Sequence, residues 1–96
     1  MENKKVIVKV LTPEGFKDVE KSYSDLIVES VNNTPVDGFT VGEMRERLSI
    51  LDSLEKSNGT IELSPLHLMK VRELVSKMKW RFMSKSIVVF VDDILK

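Results

Sequence analysis

Residues that favour β structure dominate the beginning of the chain. Val6, Val8 and Val10 recur at a period of two, so they share one face of a predicted strand. The sequence Thr-Pro-Glu-Gly at positions 12–15 carries proline and glycine where a type I turn favours them, and the residues after it can return as a second strand. A two-stranded hairpin is only marginally stable by itself in water. We therefore predict a hairpin over about residues 5–22 that is covered by helices.

A short helix is predicted directly after the hairpin. Its apolar residues recur at spacings of three and four and are Tyr23, Leu26, Ile27 and Val31. Ser22 lies three residues before Asp25, which is the spacing of a reciprocal N-cap. The helix should end at Asn32 and Asn33, because Thr34 precedes a proline and is disfavoured from the helical region.

Two longer helices are predicted over residues 41–56 and 65–80. Thr40 and Glu43 have the spacing of a capping box at the start of the first one. Its apolar stripe consists of Val41, Met44, Leu48, Leu51 and either Leu54 or Glu55. We expect this helix to end at the Ser-Asn-Gly sequence of positions 57–59, because Asn and Gly tolerate a positive φ.

The second of these helices is preceded by a short predicted strand over residues 60–63. Ser64 is a candidate N-cap, and Pro65 follows at the first helical position, where its missing N–H costs nothing. The apolar face of this helix consists of Leu68, Val71, Val75, Met78 and Phe82.

The C-terminal segment admits two interpretations. Residues 87–91 have the sequence Ile-Val-Val-Phe-Val, which has a high β propensity. The apolar positions also fit one face of a helix and are Ile87, Phe90, Val91, Ile94 and Leu95. Because Asp92 and Asp93 then fall on the exposed face of that helix, we favour a helix over a strand.

These elements together predict an α+β fold in a single domain over residues 1–96. An N-terminal β-hairpin is packed against three or four helices formed by residues 23–96, with a short strand between the two longest helices. The predicted core consists of Val8, Val10, Leu26, Ile27, Met44, Leu48, Leu51, Ile61, Leu68, Val71, Val75, Met78, Phe90 and Ile94. We expect Leu48→Ala to act as a core truncation and to cost about 2–5 kcal/mol of stability.

The composition leaves little room for catalytic chemistry. The chain contains no cysteine and a single histidine, His67, which excludes disulfides, thiolate nucleophiles and zinc sites built from Cys or several His. The two longer helices and their loop have the outline of an EF-hand, but its carboxylate positions would fall on Leu54, Lys56 and Pro65. No nucleophile elbow or phosphate-binding loop is present. We expect no enzymatic activity, no cofactor and no metal.

Charge is distributed unevenly, although fifteen basic and fifteen acidic residues cancel over the whole chain. Residues 70–85 contain six basic residues and one acidic residue, a local net charge of +5. The candidate partner-binding residues of this basic segment are Lys70, Lys77, Lys79, Trp80, Arg81 and Lys85. Cations beside an aromatic ring suit an acidic protein partner or, as the alternative, nucleic acid, and they also occur on ordinary solvated faces. Overall neutrality makes a protein the favoured partner.

The order of these elements resembles small uncharacterised accessory proteins of tailed bacteriophages and prophages. The matching stretches follow the hairpin and are Tyr-Ser-Asp-Leu-Ile-Val-Glu-Ser-Val at 23–31, Phe-Thr-Val-Gly-Glu-Met-Arg-Glu-Arg-Leu at 39–48, Gly-Thr-Ile-Glu-Leu-Ser at 59–64 and Leu-Met-Lys-Val-Arg-Glu-Leu-Val at 68–75. The resemblance implies an accessory or assembly protein of the bacterial cytoplasm, and it implies no site residues. Since no signal peptide or membrane span is recognisable, we expect an unidentified phage or host protein, or a second copy of the chain, as partner, and no membrane.

Overall fold

The structure is a computed structural model that describes residues 1–56, 59–80 and 84–96, apart from the side chain of Val10. It has the predicted α+β fold, in which an antiparallel hairpin is followed by helices. The elements are β1 (Lys5–Thr12), β2 (Gly15–Ser22), α1 (Tyr23–Asn32), α2 (Val41–Glu55), α3 (Pro65–Lys77) and α4 (Lys85–Ile94). Helix α1 contacts β2, α2 and α3, while α4 packs against β1 and α3.

The hairpin forms because its turn residues allow the chain to reverse direction within two residues. Thr12 pairs with Gly15 across the turn, and its Oγ1 donates a 2.7 Å hydrogen bond to the Gly15 carbonyl. Gly15 has a φ of 113°, a conformation that L side chains rarely adopt. On the predicted inner face Val8 is buried and Val6 is half-buried, while the side chain of Val10 lies outside the described part of the chain. The base of the hairpin therefore anchors it to the helices.

A short antiparallel contact joins the N-terminus to the segment before α3. The Ile61 N–H donates to the Met1 carbonyl at 2.7 Å, and the Asn3 N–H donates to the Gly59 carbonyl at 3.0 Å. An isolated β-bridge lies between these two bonds. The predicted strand over residues 60–63 is therefore reduced to a bridge, although it still buries Ile61 in the core.

The helix starts follow the local capping signals. At α1, Ser22 Oγ accepts from the Asp25 N–H at 3.2 Å, and the Asp25 carboxylate accepts from the Ser22 N–H at 3.0 Å, which confirms the reciprocal cap. At α2 only half of the predicted box forms. Thr40 Oγ1 accepts from the Glu43 N–H at 3.1 Å, but the Glu43 carboxylate binds two cations instead of the Thr40 N–H.

Helix α3 ends earlier than predicted, and α4 confirms the helical interpretation of the C-terminal segment. Ser64 Oγ accepts from the His67 N–H at 3.2 Å, as expected of an N-cap. The helix stops at Lys77 because Met78 adopts an extended conformation, with φ −65° and ψ 132°. Positions 57 and 58 of the predicted end of α2, and Phe82 of the predicted α3 face, lie outside the described residues.

The core is partly the predicted one. The buried residues that were predicted are Val8, Leu26, Ile27, Ile61, Val71, Val75, Phe90 and Ile94. The prediction is wrong for Met44 and Leu48, whose side chains are 45% and 59% exposed, and Leu51, Leu68 and Met78 are only half-buried. Buried apolar residues that the predicted core omitted are Tyr23, Val31, Ile50, Leu54 and Ile87.

Tyr23 links the first helix to the last one. Its ring meets the Phe90 ring edge-on, with centroids 5.0 Å apart, and its hydroxyl donates a 2.6 Å hydrogen bond to Asp93 Oδ2. Asp93 also faces Lys4 and Lys96, whose Nζ atoms lie 3.7 and 3.6 Å from its carboxylate. The hydrogen bond from Tyr23 and the two lysines hold the pKa of Asp93 below its ordinary value.

Alkaline pH is expected to weaken this contact. Burial, together with the hydrogen bond to Asp93, raises the pKa of Tyr23 to about 12 from its ordinary value of 10.0. The unfolded chain loses the phenol proton near pH 10, whereas the folded chain keeps it until about pH 12. The stability that the protonated phenol contributes is therefore complete below pH 10 and is lost as the pH rises to about 12.

Tyr23→Phe removes this pH dependence because phenylalanine does not titrate. We expect the urea midpoint of the wild type to fall more steeply than that of the variant as the pH rises above 10. Since Tyr23 is the only tyrosine, the near-ultraviolet absorbance of its phenolate reports its pKa directly. Equal slopes for the two proteins, or a phenol that titrates at its ordinary pKa, would contradict the assignment.

Candidate functional site

Helix α2 turns a different face to the core than its apolar stripe predicts. Ile50, Leu54 and Arg47 are buried and lie on one face of the helix. Leu48 comes one position after Arg47 and is therefore rotated by about 100° around the helix axis. Of the predicted stripe, Val41, Met44 and Leu48 therefore face outward, whereas Leu51 is half-buried and Leu54 is buried.

Arg47 explains this rotation. Its Nη1 donates to the carbonyl of Val31 at 2.8 Å and to that of Asn33 at 3.1 Å, at the end of α1 where carbonyls lack helical partners. Its Nε donates to Glu43 Oε2 at 3.0 Å, and its guanidinium carbon lies 4.7 Å from the centroid of the Phe39 ring. Arg47 thus caps α1 from α2 and fixes the orientation of one helix on the other.

The outward-facing residues of α2 line a groove beside α1, which we call the α1–α2 groove. Its apolar part is lined by Val31, Asn32, Phe39, Met44, Arg47, Leu48 and Leu51. A second depression shares Asn32 and Leu51 with it and continues towards the start of α1. The other residues of this second depression are Ser24, Asp25, Val28, Leu54 and Glu55. The two depressions form one surface that follows both helices.

The two ends of the α1–α2 groove differ in charge. Asp25 and Glu55 place two carboxylates at one end, and neither forms an ion pair with another residue that the structure describes. At the other end Arg47 is neutralised by Glu43. Hydrogen bonds from Lys70 and Arg47 hold the pKa of Glu43 below its ordinary value, so Glu43 stays ionised. The groove therefore has an apolar wall and one acidic end.

Two cations of the basic segment predicted as a partner-binding site form ion pairs with carboxylates of the same chain. The Lys70 Nζ lies 2.8 Å from Glu43, 3.8 Å from Glu46 and 3.9 Å from Glu73. The hydrogen bond to Glu43 raises the pKa of Lys70. Lys77 forms an ion pair with Glu73 at 3.0 Å. Lys70 therefore joins α3 to α2, and its ammonium is already paired within the chain.

The remaining residues of the basic segment lie in different environments. Trp80 is half-buried, and its ring meets the Phe90 ring edge-on with centroids 6.3 Å apart. Lys79 and Lys85 are exposed, whereas Arg81 lies outside the described residues. Trp80 therefore contributes to the core, and the exposed cations flank it in the sequence.

No protein-family model, curated protein or solved structure matches the chain. What the molecule binds is therefore inferred from the α1–α2 groove and the basic segment. In the ranges that the structure describes, no helix combines the length and the apolar character needed to cross a membrane. Nor does any group of three acidic, histidine or cysteine side chains in these ranges come together in a way that could hold a metal ion.

Sequence reasoning missed the α1–α2 groove because it assigned Met44 and Leu48 to the core. One signal could have found it. When Leu54 is taken as the last residue of the predicted stripe and Ile50 is added to it, the apolar residues of α2 cover an arc of about 180°. A helix that packs on one layer needs a stripe of only about 100°. The surplus arc indicates apolar residues that the fold does not cover.

Proposed function

We propose that the chain is a non-enzymatic binding protein whose α1–α2 groove takes an amphipathic helix of a protein partner. The exposure of Met44 and Leu48 along a continuous groove carries this proposal. Contiguous apolar surface that the fold leaves uncovered is typical of protein–protein contact sites. A groove between two helices suits a third helix, which presents apolar side chains at intervals of three and four residues.

The charge of the groove specifies the partner further. Asp25 and Glu55 favour a helix that carries Lys or Arg at the end nearest to them, because these carboxylates form no ion pair with another residue that the structure describes. Arg47 already has Glu43 as its counter-ion, so the opposite end does not recruit an acidic side chain. The occupant is therefore an amphipathic helix with one basic end.

The resemblance to phage accessory proteins supports the same class of function. A small chain without a catalytic constellation can act in a bacterial cytoplasm by docking on a phage or host protein. Under this proposal any catalytic activity belongs to the partner, and the groove provides the surface to which the partner binds.

Leu48→Glu is expected to lower the affinity for the partner at least tenfold, because it places an unpaired carboxylate against the apolar face of the incoming helix. Immobilised wild type and variant are incubated with a bacterial lysate, and the retained proteins are compared. Val36→Glu is the matched control, since Val36 is fully exposed and lies outside the groove.

A protein retained by the wild type and by Val36→Glu, and lost with Leu48→Glu, would support the proposal. Capture that does not depend on Leu48 would contradict it. Release of the captured material by nuclease, or a change in the fluorescence of Trp80 with DNA or RNA at low salt, would instead favour the nucleic-acid alternative through the basic segment.

A further inference from the structure

The hairpin carries a second apolar surface, separate from the α1–α2 groove. Ile7 and Leu11 point away from the face of β1 that buries Val8, because strand residues alternate between faces. Phe16 stands directly opposite Leu11 in the β1–β2 register. Leu11 and Phe16 are 70% and 68% exposed, and Ile7 is exposed as well. We call this surface the outer face of the hairpin.

The charges on the outer face balance each other. Lys5 forms an ion pair with Glu20, with 3.3 Å between Nζ and Oε1, and Lys9 stands opposite Asp18. Because the face carries two cations and two anions, it can meet a copy of itself without net repulsion. The α1–α2 groove differs in this respect, since its acidic end would repel the same end of a second copy.

The exposed area of the chain is larger than a folded monomer requires. The accessible surface is 6816 Å², whereas a compact monomer of 11.0 kDa exposes about 5,600 Å². The radius of gyration of 13.7 Å also exceeds the value of about 12.5 Å for a compact domain of this length. The excess over the whole chain is about 1,200 Å², which leaves surface available for an interface between two chains.

We infer that the chain forms a two-fold symmetric dimer in which the outer faces of two hairpins pack on each other. A two-fold axis that runs along the strands makes the two contacts identical and places β1 of each chain over β2 of the other, so Leu11 of each chain covers Phe16 of the other. The side chains of the two sheets form one apolar layer between them. The same arrangement brings Lys9 of each chain towards Asp18 of the other.

Sedimentation velocity of the full chain over micromolar to millimolar concentrations tests this inference. The wild type is expected to sediment as a dimer. Leu11→Lys and Phe16→Lys are each expected to raise the dissociation constant about thirtyfold or more, because both residues are the most exposed apolar side chains of the outer face. Val36→Lys adds the same charge at a fully exposed position outside the outer face and is expected to leave the dimer intact.

A mixing experiment separates contact between chains from a defect within one chain. Lys9→Asp makes the outer face acidic and Asp18→Lys makes it basic, so each variant alone is expected to be monomeric. An equimolar mixture is expected to form a heterodimer, because the opposite faces then attract each other. A lesion that only loosened the hairpin of one chain would not be repaired by mixing.

Three results with the wild type and the hairpin variants would overturn the inference. They are a monomeric wild type throughout the concentration range, a dimer that survives both Leu11→Lys and Phe16→Lys, and a mixture of the charge variants that stays monomeric. Leu48→Glu is expected to leave the dimer intact, and dissociation by this variant would move the interface from the hairpin to the groove. The self-association of the hairpin and the docking on the groove are thus tested independently.

Discussion

Ile50→Ala is expected to lower the free energy of unfolding by about 2–5 kcal/mol, whereas Leu48→Ala should change it by no more than about 0.5 kcal/mol. The two side chains are isomers and lie on the same helix, α2. Ile50 is completely buried, and Leu48 is 59% exposed. Truncation at position 50 leaves a cavity that its neighbours fill only in part, while water takes the vacated space at position 48. The large loss is thus expected at Ile50 and not at Leu48, which the sequence pattern assigns to the core.

Urea unfolding followed by circular dichroism measures both free energies. Val75→Ala serves as a further truncation at a buried site, in α3, and should destabilise the fold. If Leu48→Ala were as destabilising as Ile50→Ala, the predicted stripe of α2 would face the core. The α1–α2 groove would then not be a free surface.

Arg47→Met is expected to cost about 1.5–3 kcal/mol, because it removes charge-assisted hydrogen bonds to the end of α1. The methionine keeps much of the apolar stem, so the loss reports mainly on the guanidinium. Without it the carbonyls of Val31 and Asn33 lose the donor that Arg47 supplies. Glu43 keeps Lys70 as a partner, so the variant does not leave this carboxylate without a cation.

Arg47→Lys is the matched control for charge. An ammonium keeps the positive charge, but it lacks the planar fork with which Arg47 binds the end of α1 and Glu43 together. The expected loss is therefore intermediate between wild type and Arg47→Met. Urea midpoints of the three proteins at one pH test this order. A methionine variant as stable as the wild type would show that another contact holds α1 and α2 together.

The sequence by itself determined those features whose partners lie within a few residues. The cap at Ser22 is satisfied by Asp25, and the turn ends at Gly15, so both could be predicted without knowledge of the rest of the chain. The order of hairpin and helices follows from hydrophobic periodicity in the same way, and periodicity favoured a helix for α4 over the strand that its β propensity also allowed. Local hydrogen bonds and local spacing are sufficient for these features.

Only the tertiary structure decided which face of α2 is covered and which charges are paired. The apolar arc of α2 permits more than one rotation, and the choice depends on Arg47 reaching Val31, sixteen residues away in the sequence. Lys70 likewise pairs with Glu43, twenty-seven residues away, and this contact takes it out of the basic segment. Burial and charge pairing are properties of residues distant in sequence. For this reason the surplus apolar arc of α2 indicates that some apolar side chains stay uncovered, but only the tertiary structure shows that Met44 and Leu48 are among them.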